Sequence, residues 1–297
     1  MRIVSLLPST TEILFAIGAG DDVVGVTFEC DYPAAARQRR IVSTSALPEG
    51  LDPAEIDAFV TAATRAGEDL YHLDEDALAG LDAELVVTQD LCAVCAVDVS
   101  VVEDALAHLG CTADVLTIDP HTMDEVLTSI LTLGTATGRL EDAERLLGEL
   151  QARLDSVRRG VADRSHRPRV LLLEWTDPPF APGHWVPEMV TAAGGVPTVG
   201  AAGAKSVRVT WEQALANEPD LVVCAPCGYG LAESAELAQA LVGTGVLPPD
   251  VPVWAVDANS SFARPGPRLV DGVESLARIF DPRGPRPAAE AAVQVRP

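Results

Sequence analysis

Arg2-Ile3-Val4-Ser5-Leu6-Leu7 runs directly into Pro8-Ser9-Thr10-Thr11-Glu12-Ile13-Leu14, and this junction decides the fold class. The first six residues are a mainly apolar run of strand length. Proline followed by hydroxyl residues is a helix-start signal, with Ser9 or Thr10 able to cap the first N–H groups. The helix stays apolar through Ile17 and meets Gly18-Ala19-Gly20, which can end it. A short strand follows at Val23 to Thr27, and the loop Phe28-Glu29-Cys30-Asp31-Tyr32-Pro33 leaves its carboxyl end. Strand, helix, glycine stop and strand in this order open a parallel α/β sheet.

The same grammar extends outward. Residues 52–80 carry helical patterning, 83–88 read as a buried strand, 99–109 as a helix stopped at Gly110, and 114–118 as the next strand. From Met123 to about Ala162 there is no proline, and Val126, Ile130, Leu133, Leu140, Leu146, Leu147, Leu150 and Leu154 recur at helical spacing. Such a helix would reach about 60 Å, with Gly134 and Gly138 as the places to bend or divide it. A sustained heptad is missing, which weighs against a coiled coil. After Pro168 the pattern restarts with a strand at 169–174, a loop at 175–180, helices near 187–193 and 210–217, and a strand at 219–223. Both halves carry an acidic residue, Leu-Val-Val and then a Cys-x-x-Cys pair, a loose internal repeat. The expected fold is therefore α/β: two Rossmann-like α/β lobes with central parallel sheets, at 1–122 and 164–281. One long backbone helix at 123–163 joins them, and 282–297, rich in Pro, Ala and Arg, forms a frayed tail.

A net charge of −23 and a single lysine, Lys205, exclude a basic nucleic-acid surface and a lysine-based phosphate loop or Schiff base elsewhere. No apolar run approaches the length of a membrane span, and no cleavable leader precedes Ile3, so no membrane insertion and a cytoplasmic location are expected. A start further upstream would make the protein periplasmic or extracellular. Gly-x-Ser-x-Gly, Gly-x-Gly-x-x-Gly, His-Glu-x-x-His and calcium-loop patterns are all missing, and no reaction is assigned.

Chemistry gathers at the strand ends, where open parallel sheets bind ligands. Cys30, Cys92, Cys95 and Cys227 follow strands and have the spacing of thiolate metal sites, so an iron-sulfur cluster or zinc is one expectation. Cys111 and Cys224 read as packing residues. The Cys92/Cys95 pair lacks the helix-opening context of a dithiol redox motif. Glu174, Trp175, Phe180, His184 and Trp185 surround one loop, where indoles can stack on a flat ligand and an imidazole can coordinate or exchange protons. His72, His108, His121 and His166 receive no role.

The opening stretch Arg2–Leu14, Val23-Val24-Gly25-Val26, Asp31-Tyr32-Pro33, Pro219-Asp220-Leu221-Val222 and Arg264-Pro265-Gly266-Pro267-Arg268 together resemble the cobalamin- and siderophore-binding proteins of ABC importers. The resemblance covers most of the chain. It implies two α/β lobes on a backbone helix, with a metal chelate such as a corrinoid held in the cleft by Glu29, Trp175, Phe180, His184, Trp185, Phe262 and Arg264. It also implies that Glu103 and Glu212 face an ABC permease if the chain is exported. The sequence departs from vitamin B12 receptors where aromatic residues are expected: Glu29 and Cys30 precede Asp31-Tyr32-Pro33, and Ser260 and Ser261 precede Phe262. The alternative function is a cytoplasmic iron-sulfur or zinc-thiolate enzyme or redox protein built on the cysteines.

Overall fold

Ile3–Ser5, the strand at the head of the chain, lies in the middle of a five-stranded sheet. The structure is a computed structural model that describes residues 1–48, 50–66, 68, 70–89, 102 and 112–297. It divides into two units, the first made of residues 1–120 and 127–148 and the second of 121–126 and 149–297.

In the first unit the strands are β1 (Ile3–Ser5), β2 (Val23–Val26), β3 (Arg40–Ile41), β4 (Ser43–Ser45), β5 (Tyr71–Leu73), β6 (Leu85–Thr88) and β7 (Asp114–Thr117). The main sheet has the order β3-β2-β1-β6-β7 and is parallel throughout. Every residue of β1 and β6 is buried, Ser5 and Thr88 included, so both faces of these strands are covered and no polar-out alternation occurs. Val4, Leu6, Val42, Leu70, Leu78, Leu81, Val86 and Val102 pack into one cluster, and each such side chain contributes about 1.5–3 kcal/mol by leaving water.

The second unit contains β8 (Arg169–Leu173), β9 (Trp175–Thr176), β10 (Pro179–Ala181), β11 (Val196–Pro197), β12 (Val207–Arg208), β13 (Leu221–Cys224), β14 (Val253–Val256) and β15 (Ala292–Arg296). Its main sheet runs β11-β8-β13-β14-β15, with only β15 antiparallel. A smaller antiparallel sheet, β12-β10-β9, sits beyond the end of β8.

The two main sheets share one winding. The chain first builds on one side of the opening strand, with β2 and β3 beside β1 and β11 beside β8, then crosses to the other side to add β6 and β7, or β13, β14 and β15. This reversal puts a crevice at the carboxyl ends of β1 and β6 in one unit and of β8 and β13 in the other.

Three sequence expectations change. The helical pattern at 52–80 becomes a helix at Pro53–Ala66, the strand β5, and a short helix at Glu75–Leu78 whose Asp74 carboxylate accepts the Ala77 N–H at 2.8 Å. The single long helix becomes two, Met123–Ala136 and Leu140–Ala162, because Gly138 adopts a left-handed φ of 69° that a side chain disfavours. The tail is no frayed end: β15 pairs with β14, Val295 packs on the core, and the Arg296 guanidinium donates to the carbonyls of Pro248 and Val251 at 2.7 Å.

Candidate ligand-binding rims

In the first unit β2 delivers Thr27, Phe28, Glu29 and Cys30 to the strand-end rim. The exposed Phe28 ring stacks on Tyr71 with centroids 5.7 Å apart and planes 23° apart. The Tyr71 hydroxyl donates to Glu29 Oε1 at 3.0 Å, which fixes the carboxylate beside the stacked pair. Cys30 turns inward. It is buried, with Sγ 3.1 Å from Thr11 Oγ1 and 3.2 Å from Thr27 Oγ1, and Thr11 in turn donates to Ser5 Oγ and the Leu7 carbonyl. This nest of hydroxyls lies at the start of the first helix, so the thiol serves the local hydrogen-bond network.

In the second unit the ends of β8 and β13 are stitched together: the Ala225 N–H donates to the Leu173 carbonyl at 2.9 Å, and Cys227 N–H to that of Glu174 at 3.1 Å. Trp175 meets Tyr229 at 5.6 Å with planes tilted by 47°. Phe180 lies beneath the Arg208 guanidinium at 5.8 Å, a cation–π contact. The Glu174 carboxyl accepts from the Ser206 hydroxyl and the Gly183 N–H, yet loss of hydration dominates and pushes its pKa up to about 7. Gly183 has no room for a side chain, since a Cβ would come within 2.4 Å of the Ala204 carbonyl oxygen. Next to it, His184 holds a left-handed φ of 47°, donates its N–H to Ala204 at 2.6 Å and accepts from Gly203 at 3.0 Å. Its imidazolium is disfavoured first by burial and then by the charges of His121 and Lys205.

Residues 3–246 match the family model described as periplasmic binding protein. The chain belongs to the periplasmic binding protein family. A vitamin B12-binding protein of Vibrio cholerae is 25% identical over 283 residues, spanning 93% of this chain and 87% of its own. One from Yersinia pestis is 25% identical over 227 residues, spanning 75% and 68%. Among solved structures, a periplasmic heme binding protein from Pseudomonas aeruginosa superposes with a TM-score of 0.70 at 18% identity, over 99% of this chain and 97% of the other. The periplasmic vitamin B12 binding protein of Vibrio cholerae gives 0.60 at 22%, over 93% and 94%. An ABC-type Fe3+-hydroxamate transport protein from Saccharomonospora viridis gives 0.61 at 21%, over 94% and 92%. At these identities the structures establish the fold, and each ligand is that protein's own.

For this periplasmic binding protein the sequence-derived residues separate by position. Glu29 lies on the first rim, and Trp175, Phe180 and His184 on the second. Trp185 and Phe262 are placed in the interior instead, where the indole N–H donates to the Phe262 carbonyl at 2.7 Å; Arg264 is also buried. Cys224 packs in the core, its thiol pushed up to about 12 by burial, whereas Cys227 is exposed. Cys92, Cys95, Cys111 and Glu103 lie outside the described residues. Glu212 is exposed on the helix Trp211–Leu215, which Thr210 and Gln213 cap reciprocally. Among the described residues no group of three or more His, Cys, Asp or Glu could hold a metal ion, and no helix is long and apolar enough to cross a membrane.

Phe28, Tyr71, Tyr229 and His121 are the rim residues that sequence reasoning missed. Phe28 was visible beside Glu29 in the loop that leaves the carboxyl end of β2, and each rim carries an aromatic pair. Tyr71 was hidden inside an expected helix, and no local signal ties His121 to His184.

Proposed function

We propose that this periplasmic binding protein binds a flat metal chelate, cobalamin or a related corrinoid, at the strand-end rims and hands it to an ABC permease without chemical change. The observation that carries the reading is the pair of aromatic contacts, Phe28–Tyr71 in one unit and Trp175–Tyr229 in the other, each beside the carboxyl end of a parallel strand. A macrocycle offers a broad apolar face that such rings cover, while polar neighbours such as Glu29 and Arg208 fit its amide or carboxylate rim. The vitamin B12-binding relatives favour the corrinoid. A heme-like chelate is the second reading, favoured by the imidazole pair His121–His184. The exposed Glu212 carboxylate is the candidate permease contact of the second unit. The thiolate-cluster alternative draws no support from the described residues, where Cys30 is committed to two threonines.

Isothermal titration of the full chain with cyanocobalamin, hemin and a ferric hydroxamate tests this reading. One of the first two is expected to bind with micromolar or tighter affinity. Failure of both would contradict it, and tight binding of the hydroxamate alone would redirect it to siderophores.

A further inference from the structure

We propose that His121, His184 and Lys205 form a subsite for an anionic group on the ligand, a phosphodiester or a carboxylate; this rests on the chelate-binding reading above. His184 carries a backbone conformation that non-glycine residues seldom adopt, enforced by hydrogen bonds on both its N–H and its carbonyl. Its Nε2 is buried and has no hydrogen-bond partner, so the ring is held in place with this nitrogen unused. The His121 ring stands 5.8 Å away, and Lys205, the only lysine in a chain of net charge −23, acts on the same imidazole. A strained residue with an unused nitrogen, beside a second imidazole and within electrostatic reach of the one lysine, is poor packing and an anion receptor by its chemistry.

The cluster adjoins the second rim. Gly183 and Ser206, chain neighbours of His184 and Lys205, both bond the Glu174 carboxyl, and Trp175 follows Glu174. The surrounding carboxylates are already engaged. Glu125 accepts the backbone N–H groups of His121 and Thr122 at 2.5 and 3.1 Å, Glu188 accepts that of Met123 at 2.7 Å, and Glu174 accepts from Ser206 and Gly183. An incoming anion would offset the mutual repulsion of the three basic groups and favour protonated imidazole. Binding then takes up protons, so affinity rises as pH falls.

The test compares two ligand pairs by isothermal titration at low salt and pH 6, 7 and 8. Cyanocobalamin carries the phosphodiester of its nucleotide loop and cobinamide does not; hemin carries two propionates and its dimethyl ester none. In the pair that binds, the anionic member is expected to bind about tenfold tighter at pH 6, a preference equal to one charge-assisted contact, and to lose part of that advantage by pH 8. The cobalamin arm assigns the anion as phosphodiester, the hemin arm as carboxylate. Lys205→Gln, at an exposed site, is expected to remove most of the preference while the uncharged member still binds, and His184→Asn, which tolerates left-handed φ, is expected to remove the preference as well. Equal affinity within both pairs, or a preference that survives both substitutions, overturns the subsite and leaves the chelate reading intact. No binding by any of the four overturns both.

Discussion

The two units wind their sheets alike but finish the strand ends differently. At the first rim Tyr71 hydrogen-bonds Glu29, Phe28 lies on Tyr71, and the thiol of Cys30 is turned inward to Thr11 and Thr27. At the second, the aromatic pair sits beside an enclosed carboxyl, a strained histidine and an exposed thiol. One topology therefore serves two purposes: a fixed aromatic shelf in the first unit and a shelf with proton-responsive groups in the second.

The sharpest way to break this contrast is through the thiols. Alkylation of the native chain at pH 8, mapped by mass spectrometry, is expected to label Cys227 at least about a hundredfold faster than Cys224, whose thiol burial holds near pKa 12. Cys30 should be protected as well because it is buried. Rapid labelling of Cys30 would mean that the first rim is not the closed, hydroxyl-bound arrangement described.

Glu174 separates the rims by stability. Its folded-state pKa lies above the ordinary carboxylate value, so between about pH 4.5 and 7 the folded protein binds more protons than the unfolded chain. Stability should fall as pH rises through that window and level off above it. Glu174→Gln keeps an acceptor for Gly183 and removes the charge. It should flatten this slope and stabilise the protein at pH 8 by roughly 1–3 kcal/mol, read as the shift in denaturation midpoint between pH 5 and pH 8. An unchanged slope would show that the Glu174 carboxyl is hydrated.

Much of this was legible from residues alone. Arg2–Leu14 announced a parallel α/β sheet because a strand-length apolar run, a proline and hydroxyl caps leave few alternatives, and Leu221-Val222-Val223 announced the second sheet. Trp175 and Phe180 stood out because their loop follows a buried strand. What the sequence concealed depended on distance along the chain. Tyr71 meets Glu29 from 42 residues away, and His121 meets His184 from a separate segment of the same unit. The β15 strand was hidden because Ala292-Val293-Gln294-Val295-Arg296 becomes a strand only when the β14 edge offers it partners. The burial of Trp185 and Phe262 was equally hidden, since an aromatic ring beside a ligand loop and one in the core read the same locally.

The most direct measurement is the affinity of Trp175→Ala and Phe28→Ala, beside the unaltered chain, for whichever chelate binds. Both side chains are partly exposed, so neither variant should lower the melting temperature by more than a few degrees. Loss of a ring that covers the macrocycle should cost about 2 kcal/mol at Trp175, roughly thirtyfold in Kd, and about 1 kcal/mol at Phe28. Weakened binding in both variants, larger at Trp175, is the expected result. Affinities equal to that of the unaltered chain in both would contradict the claim that the strand-end aromatic rims receive the ligand.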